Sequence, residues 1–176
     1  MTGKQTIAFV LLVILSMSQA GISSARTANF RYSTIEVPDG WVDMIGPGGA
    51  QVKAPDGTLL IQPGSPTVLS GAKPKADGSP DMDGILKLVD QIKTLAAKPG
   101  RLKFPMIQDF ATKDLGHHRS LMRAIYRMNA STIIAQYYVI GPTYVVPFSV
   151  ASKHGIDDTI ARLDPIFASL QWLGAP

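Results

Sequence analysis

Two apolar segments close to the C-terminus constrain the fold of this chain more than any other feature. They read "STIIAQYYVI" over residues 131–140 and "TYVVPFSVA" over residues 143–151. Both are rich in the β-branched and aromatic residues typical of strands. The first is apolar on both faces, which predicts a central strand of a sheet. Pro147 cannot donate a ladder hydrogen bond, so the second strand is predicted to lie at an edge or to be bulged there.

Turn residues divide the first half of the chain into further strands. Residues 30–38 predict a strand that ends at the turn Pro38-Asp39-Gly40. The segments "AQVKAP" and "TLLIQPG" predict a hairpin whose tight turn is Asp56-Gly57. Residues 64–80, "GSPTVLSGAKPKADGSP", form a long loop rich in Gly and Pro, which we expect to be either mobile or functional.

Two helices are predicted, one before and one after the C-terminal group of strands in the sequence. The first follows the long loop: Ser79 is its cap, Pro80 its first residue, and an apolar stripe runs from Ile85 to Leu95. The second is "IDDTIARLDPIFASLQWL", in which Ile160, Leu163, Phe167 and Leu170 share an apolar face and Pro165 must kink or restart the helix. The predicted fold class is therefore α+β, with an antiparallel sheet flanked by helices.

The N-terminus has the layout of a secretory signal peptide. Lys4 precedes an apolar run from Ile7 to Leu15, and small residues then offer cleavage sites after Ala20 or Ala25. The run is too short for a membrane span, which takes about 20 residues. We therefore predict a signal peptide over residues 1–25, one domain over residues 26–176, and a periplasmic or secreted protein with no stable membrane insertion after cleavage.

Composition narrows the function classes. The net charge of +4 is too small for a nucleic-acid footprint, and the absence of cysteine excludes thiol catalysis and thiolate metal sites. The three histidines, His117, His118 and His154, stand outside any HExxH pattern, and we interpret them as turn residues rather than metal ligands. No GxSxG elbow is present. We therefore predict no catalytic residues, no metal and no cofactor.

Three arginines recur at intervals of four in "HHRSLMRAIYRMN", at positions 119, 123 and 127. This spacing keeps Arg119, Arg123 and Arg127 on one face of a strand and nearly on one face of a helix, so the pattern alone leaves both open. Lys153 adds to a half of the chain that has no acid between Asp114 and Asp157. One interpretation is a solvent-exposed, solubilising face. The other is a docking surface for an acidic protein or anionic envelope material.

Several stretches resemble the PsbP-like fold. They are "YSTIEVPDGW" with Pro38, Gly40 and Trp41, then "APDGTLLIQ", and the ending "TYVVPFSVA…IARLDPIFASLQW" with its Ser169-Leu170 pair. This fold is shared by the PsbP extrinsic subunit of photosystem II, a Ran-binding nuclear import factor and bacterial envelope proteins such as DcrB. The resemblance implies an antiparallel sheet between helices, an α/β/α sandwich, and makes residues 118–128 the first strand of a three-strand meander. It transfers no functional residue.

The expected function is that of an exported, non-enzymatic binding or accessory protein with a protein partner. An immunity-type protein that neutralises a toxin is one member of this class. Two alternatives remain: a small hydrolase with a dispersed site, and a carrier of an apolar ligand held between sheet and helix.

Overall fold

A computed structural model describes residues 24–46, 49–68, 75–78, 81, 83, 87, 90, 104–142 and 144–174. The predicted signal peptide lies almost wholly outside the described residues, and so does the apolar stripe of the first predicted helix. Asp83, Lys87 and Asp90 are described; they have helical backbone and exposed side chains, as expected for the polar face of that helix.

The described part of the chain contains eleven strands and one complete helix. They are β1 Ala25–Asn29, β2 Ser33–Pro38, β3 Val42–Gly46, β4 Gly49–Lys53, β5 Leu59–Pro63, β6 Thr67–Val68, β7 Met106–Gly116, β8 Arg119–Arg127, β9 Ile133–Ile140, β10 Tyr144–Ser152, α1 Ile156–Ala168 and β11 Gln171–Trp172.

The strands form two antiparallel sheets. The small sheet has the order β1-β2-β11, and the large sheet has the order β3-β4-β5-β10-β9-β8-β7, with β6 paired to β10. The β4–β5 hairpin turns at Asp56-Gly57 as predicted, and Gly57 adopts the positive φ of 70° that the turn requires. The predicted meander is confirmed as β8–β9–β10, and β9 is central in it.

β10 is a central strand, so the edge alternative predicted for Pro147 is wrong; the pairing of β10 is instead interrupted opposite Pro147, between β5 and β6, an irregularity of the kind that the bulge alternative expected. Its carbonyl accepts a hydrogen bond from the Gly64 N–H at 2.8 Å, on the side of β10 where β5 ends and β6 begins. A residue in an antiparallel ladder directs its N–H and C=O to the same neighbour. The missing N–H therefore faces the break between β5 and β6, where no ladder partner is lost.

Helix α1 packs against β2, β8 and β9. Its apolar face matches the predicted one, since Leu163, Phe167 and the following Leu170 are buried. The helix continues through Pro165 without a restart. The core lies between the large sheet on one side and the small sheet with α1 on the other.

The α/β/α sandwich that the sequence analysis predicts overstates the helix content. Within the described residues the protein is mostly antiparallel sheet, and α1 is the one complete helix on it. On the face that α1 covers, the small sheet also contributes residues to the core.

Candidate functional site

The arginine row lies on β8, which settles the choice between helix and strand in favour of a strand. Alternation along a strand places Leu121 and Ile125 on the same face as the arginines. Leu121 and Ile125 are both fully buried in the main core. The row is therefore on the face that α1 covers, and the expectation of an exposed row is wrong for its first two members.

Arg119 and Arg123 hold α1 onto the sheet. The Arg119 guanidinium donates to the carbonyl of Leu170 at 2.6 Å and to that of Ala168 at 3.4 Å. These carbonyls belong to the C-terminal end of the helix, where the macrodipole favours a cation. Arg123 Nη1 pairs with both oxygens of the Asp164 carboxylate, at 3.1 and 3.3 Å.

Asp164 is the centre of a small polar cluster beneath α1. Its carboxylate is nearly buried, and it also accepts a hydrogen bond from the Tyr137 hydroxyl at 3.3 Å and lies 3.5 Å from Lys113 Nζ. Burial, together with the negative charge of Asp164, raises the pKa of Tyr137 far above its usual value. The hydroxyl therefore stays protonated and serves as a donor to the carboxylate.

Arg127 and Lys153 are exposed, unlike the other two members of the predicted docking surface. They lie at the same end of the large sheet, because Arg127 pairs with Ile133 and Ile133 pairs with Ser152. The four residues thus do not form one open surface. Whether Arg127 and Lys153 contact a partner stays a prediction.

His117 and His118 form the two-residue turn between β7 and β8, in agreement with the prediction of exposed turn histidines. Both have positive φ, 50° and 58°, a conformation that side chains other than glycine seldom adopt. Among the described residues, no group of three or more His, Cys, Asp or Glu side chains is placed to hold a metal ion.

His154 lies in a different network, at the start of α1. Its Nε2 is 2.6 Å from Thr58 Oγ1, and its Nδ1 is 2.9 Å from Asp158 Oδ2. The order resembles a hydroxyl–imidazole–carboxylate triad, which the sequence does not reveal because Thr58 is 96 residues from His154. However, Asp56 Oδ1 accepts the Thr58 hydroxyl hydrogen at 2.7 Å.

The hydrogen bonds from the Thr58 side chain and backbone lower the pKa of Asp56, and the nearby positive charge of Arg162 lowers it further. Asp56 is therefore ionised and competes with His154 for the Thr58 proton. The network links the β4–β5 turn to the first turn of α1. This structural link is sufficient to account for the contacts among Thr58, His154 and Asp158.

A cleft of about 520 Å³ opens between the β1–β2 turn and the large sheet. This volume is within the range of about 300–1,000 Å³ typical of small-ligand sites. The lining residues come from three chain segments and from β10: Phe30, Arg31, Tyr32, Ser33, Gly49, Ala50, Gln62, Pro63, Gly64, Ser65, Pro66 and Val146. The first residues of the long loop thus form one wall of the cleft.

The edge strand β3 is the largest exposed apolar feature beside the cleft. Val42, Met44 and Ile45 have exposed fractions of 56%, 41% and 94%. Ile45 pairs with Ala50, which lines the cleft, so the strand and the cleft are continuous. Arg26 anchors the beginning of this strand to the small sheet through two hydrogen bonds to Asp43.

The sequence alone predicts neither the cleft nor the exposure of β3. "WVDMI" reads as an ordinary strand, and its exposure depends on its last place in the sheet order. The one signal available was the long Gly/Pro-rich loop, of which Gly64, Ser65 and Pro66 reach the cleft.

The two-sheet arrangement with a C-terminal helix defines the chain as an α+β protein built mainly of antiparallel sheet. Comparison with solved structures identifies the arrangement as PsbP-like. The chain is similar to cyanobacterial PsbP (CyanoP) from Synechocystis sp. PCC 6803, with 13% sequence identity and a TM-score of 0.52, over 88% of this chain and 95% of the other. At this identity the likeness shows the fold alone.

No family model and no curated protein matches the sequence. No helix in the described part of the chain is both long enough and apolar enough to cross a membrane.

Proposed function

We propose that this is an exported, non-enzymatic accessory protein that binds a protein partner by adding an extended segment of that partner to β3. The observation that carries the proposal is that no strand of the described residues pairs with the outer edge of β3, where Ile45 is 94% exposed. Export is supported by the signal-peptide layout of residues 1–25. An immunity-type protein that neutralises a toxin is one form that such a partner-binding protein takes.

The two edges of the large sheet differ in the devices that prevent unwanted pairing. β7 is irregular, with three register shifts against β8, and it exposes Lys113 and Asp114. β3 pairs with β4 in unbroken register and contains no lysine, no proline and no bulge; its one charged residue, Asp43, is bonded to Arg26. Edges that must stay unpaired usually carry such devices, so β3 is the edge suited to accept a strand.

Exposed apolar side chains on both faces of β3 offer contacts to an added strand. Val42 and Met44 point to one face, and Ile45 points to the other. A partner segment paired to β3 would therefore gain backbone hydrogen bonds together with apolar contacts on each side. An extended segment with alternating apolar residues is the chemistry that this edge recognises.

Site-specific photo-crosslinking in the native envelope tests the proposal. A photoreactive residue at Val42 should give a discrete adduct with another protein, identified by mass spectrometry. Ile45→Lys should abolish that adduct, because an edge lysine opposes sheet pairing. The same photoreactive residue at Met128, an exposed apolar position on the β8–β9 turn, should not give it. Equal adducts at Val42 and Met128 would refute the proposal, and adducts formed only between copies of this chain would replace the partner with a dimer.

The alternative, a small hydrolase, rests on the Thr58–His154–Asp158 geometry. It requires Thr58 to give its proton to His154, whereas Asp56 accepts that proton in the structure. Ester hydrolysis by the wild type that is lost in Thr58→Val would favour this alternative over partner binding.

A further inference from the structure

We propose that the cleft between the β1–β2 turn and the large sheet binds a small organic anion with an apolar tail. This inference goes beyond partner binding at β3 and does not depend on it. The carrier function predicted from sequence placed an apolar ligand between the sheet and a helix. The cleft instead lies between the small sheet and the large one, and its lining chemistry adds a requirement for negative charge.

The charge of the lining indicates an anion. Among the described residues that line the cleft, Arg31 is the only charged one and none has a carboxylate. The Arg31 guanidinium is 5.0 Å from the centre of the Tyr32 ring. This cation–π contact helps to hold Arg31 beside the cleft that both residues line. In the described part of the chain, Arg31 has no ion pair and no hydrogen bond to its side chain, so its donors are open to a ligand.

Among the described arginines, Arg31 and Arg127 have no side-chain hydrogen bond or ion pair, and of these two only Arg31 lines the cleft. Arg26 is bonded to Asp43, and Arg162 is bonded to Asp158. Arg123 is bonded to Asp164. A guanidinium presents a planar fork of donors that fits a carboxylate, phosphate or sulfate. The open fork at Arg31 is therefore suited to any of these head groups.

Four of the lining residues have apolar side chains of some size. Phe30 and Val146 are buried, with 7% and 2% exposure, and Pro63 and Pro66 also line the cleft. These surfaces have no polar atoms on their side chains, so a ligand gains most by placing hydrocarbon against them. Ser33, Gln62 and Ser65 are the uncharged polar residues of the lining apart from Tyr32, and their side chains add hydrogen-bonding groups.

Small residues keep the cleft open. Gly49 and Ala50 form one side, and Gly64 forms another. A Cβ on Gly64 would come within 2.9 Å of Pro147 Cγ, so the contact between this segment and β10 excludes larger residues at that position. The cleft thus arises where the pairing of β10 changes from β5 to β6, opposite Pro147. The same interruption accommodates the backbone N–H that Pro147 lacks.

Isothermal titration calorimetry with ligands that share one tail and differ in head group tests the inference. Decanoate, decyl phosphate, decanol and decyltrimethylammonium would be titrated into the full chain below their micelle concentrations. Both anions should bind, decanol should bind roughly tenfold more weakly, and the cation should not bind. A preference between decanoate and decyl phosphate would identify the head group. Equal affinity for decanol and the anions, or no binding by either anion, would overturn the inference.

Variants assign the binding to this cleft. Arg31→Met removes the charge but keeps an apolar stem, so it should lower decanoate affinity roughly tenfold and leave decanol affinity unchanged. Arg127→Met, at an exposed arginine outside the cleft, should change neither. Ala50→Phe should prevent binding of both ligands by filling the cleft, while a wild-type melting temperature shows that the fold is intact.

Amide NMR shifts of the wild type provide a check that needs no variant. On addition of decanoate, the shifts should be largest at residues 30–33 and 64–66, which line the cleft. Shifts confined to other regions, or decanoate affinity unaltered in Arg31→Met, would contradict the assignment.

Discussion

At the scale of single residues, the pairing of Arg123 with Asp164 is the contact that most strongly links side-chain chemistry to the fold. Arg123 and Asp164 have side-chain exposures of only 16% and 10%. Removing one partner of a buried ion pair leaves an uncompensated charge, which usually costs about 3–5 kcal/mol. We expect Arg123→Met to lower the free energy of unfolding by about 3 kcal/mol, because Lys113 and Tyr137 still contact the carboxylate.

Urea denaturation of a double-mutant cycle measures this effect. Arg123→Met combined with Asp164→Leu should recover most of the loss, since no buried charge then remains. Arg127→Met is the matched control: it removes an exposed arginine from the same strand face and should change the free energy of unfolding by no more than about 0.5 kcal/mol. If Arg123→Met is as mild as Arg127→Met, the ion pair does not stabilise the contact between α1 and the sheet.

The arginine row also shows what a residue pattern can and cannot predict. Spacing of four correctly places Arg119, Arg123 and Arg127 on one strand face. It does not reveal that the face with Leu121 and Ile125 is the one that α1 covers, because Met122, Ala124 and Tyr126 on the other face are apolar and buried as well. The acceptors for the guanidiniums come from α1, about 40 to 50 residues further along the chain. Such long-range partners leave no local signal.

At the scale of elements, the β7–β8 hairpin carries strain in its turn. His117 and His118 both have positive φ, and Gly116 before them has a φ of 71°. A two-residue turn with two positive φ values favours Asn-Gly. We expect His117→Asn together with His118→Gly to raise the free energy of unfolding by about 0.5–1 kcal/mol, measured by urea denaturation.

A matched change separates backbone strain from side-chain contacts. His118→Ala keeps a Cβ in the left-handed region and should not stabilise the hairpin. Gly116→Ala should destabilise it by about 1 kcal/mol through strain alone, because no atom lies within 4 Å of the added Cβ. Stabilisation by His118→Ala equal to that of the double change would show that the histidine side chains, not their φ angles, weaken the turn.

Elements were predicted well where a local signal exists. The Asp56-Gly57 turn, the central β9 and the buried face of α1 follow from turn chemistry and periodicity. The error at Pro147 arose because a proline can also occupy a central strand when its neighbouring strand is interrupted, and that interruption at Gly64–Pro66 is a property of a different segment. The exposure of β3 likewise depends on its position at the end of the sheet order, which cannot be predicted from a short stretch of sequence.

At the scale of the whole molecule, the N-terminal strand bears on where export processing should occur. Sequence alone leaves cleavage after Ala20 or after Ala25 open. In the structure Ala25 begins β1 and pairs with Pro38, and the Ser24 carbonyl accepts a hydrogen bond from the Asp39 N–H at 2.9 Å. Cleavage after Ala25 would remove both contacts from the small sheet. Cleavage after Ala20 would leave the strand complete.

We therefore expect the mature chain to begin at Gly21, as shown by intact-mass measurement of the exported protein. A truncated chain that begins at Arg26 provides the comparison. It lacks the Ser24 acceptor and one pair of the β1–β2 ladder, so it should unfold at a lower urea concentration than the chain that begins at Gly21. A mature mass that corresponds to Arg26 as the first residue would contradict the assignment. Equal urea midpoints for the two chains would show that the contacts of Ser24 and Ala25 add nothing to the small sheet, and would remove the structural reason for preferring Ala20.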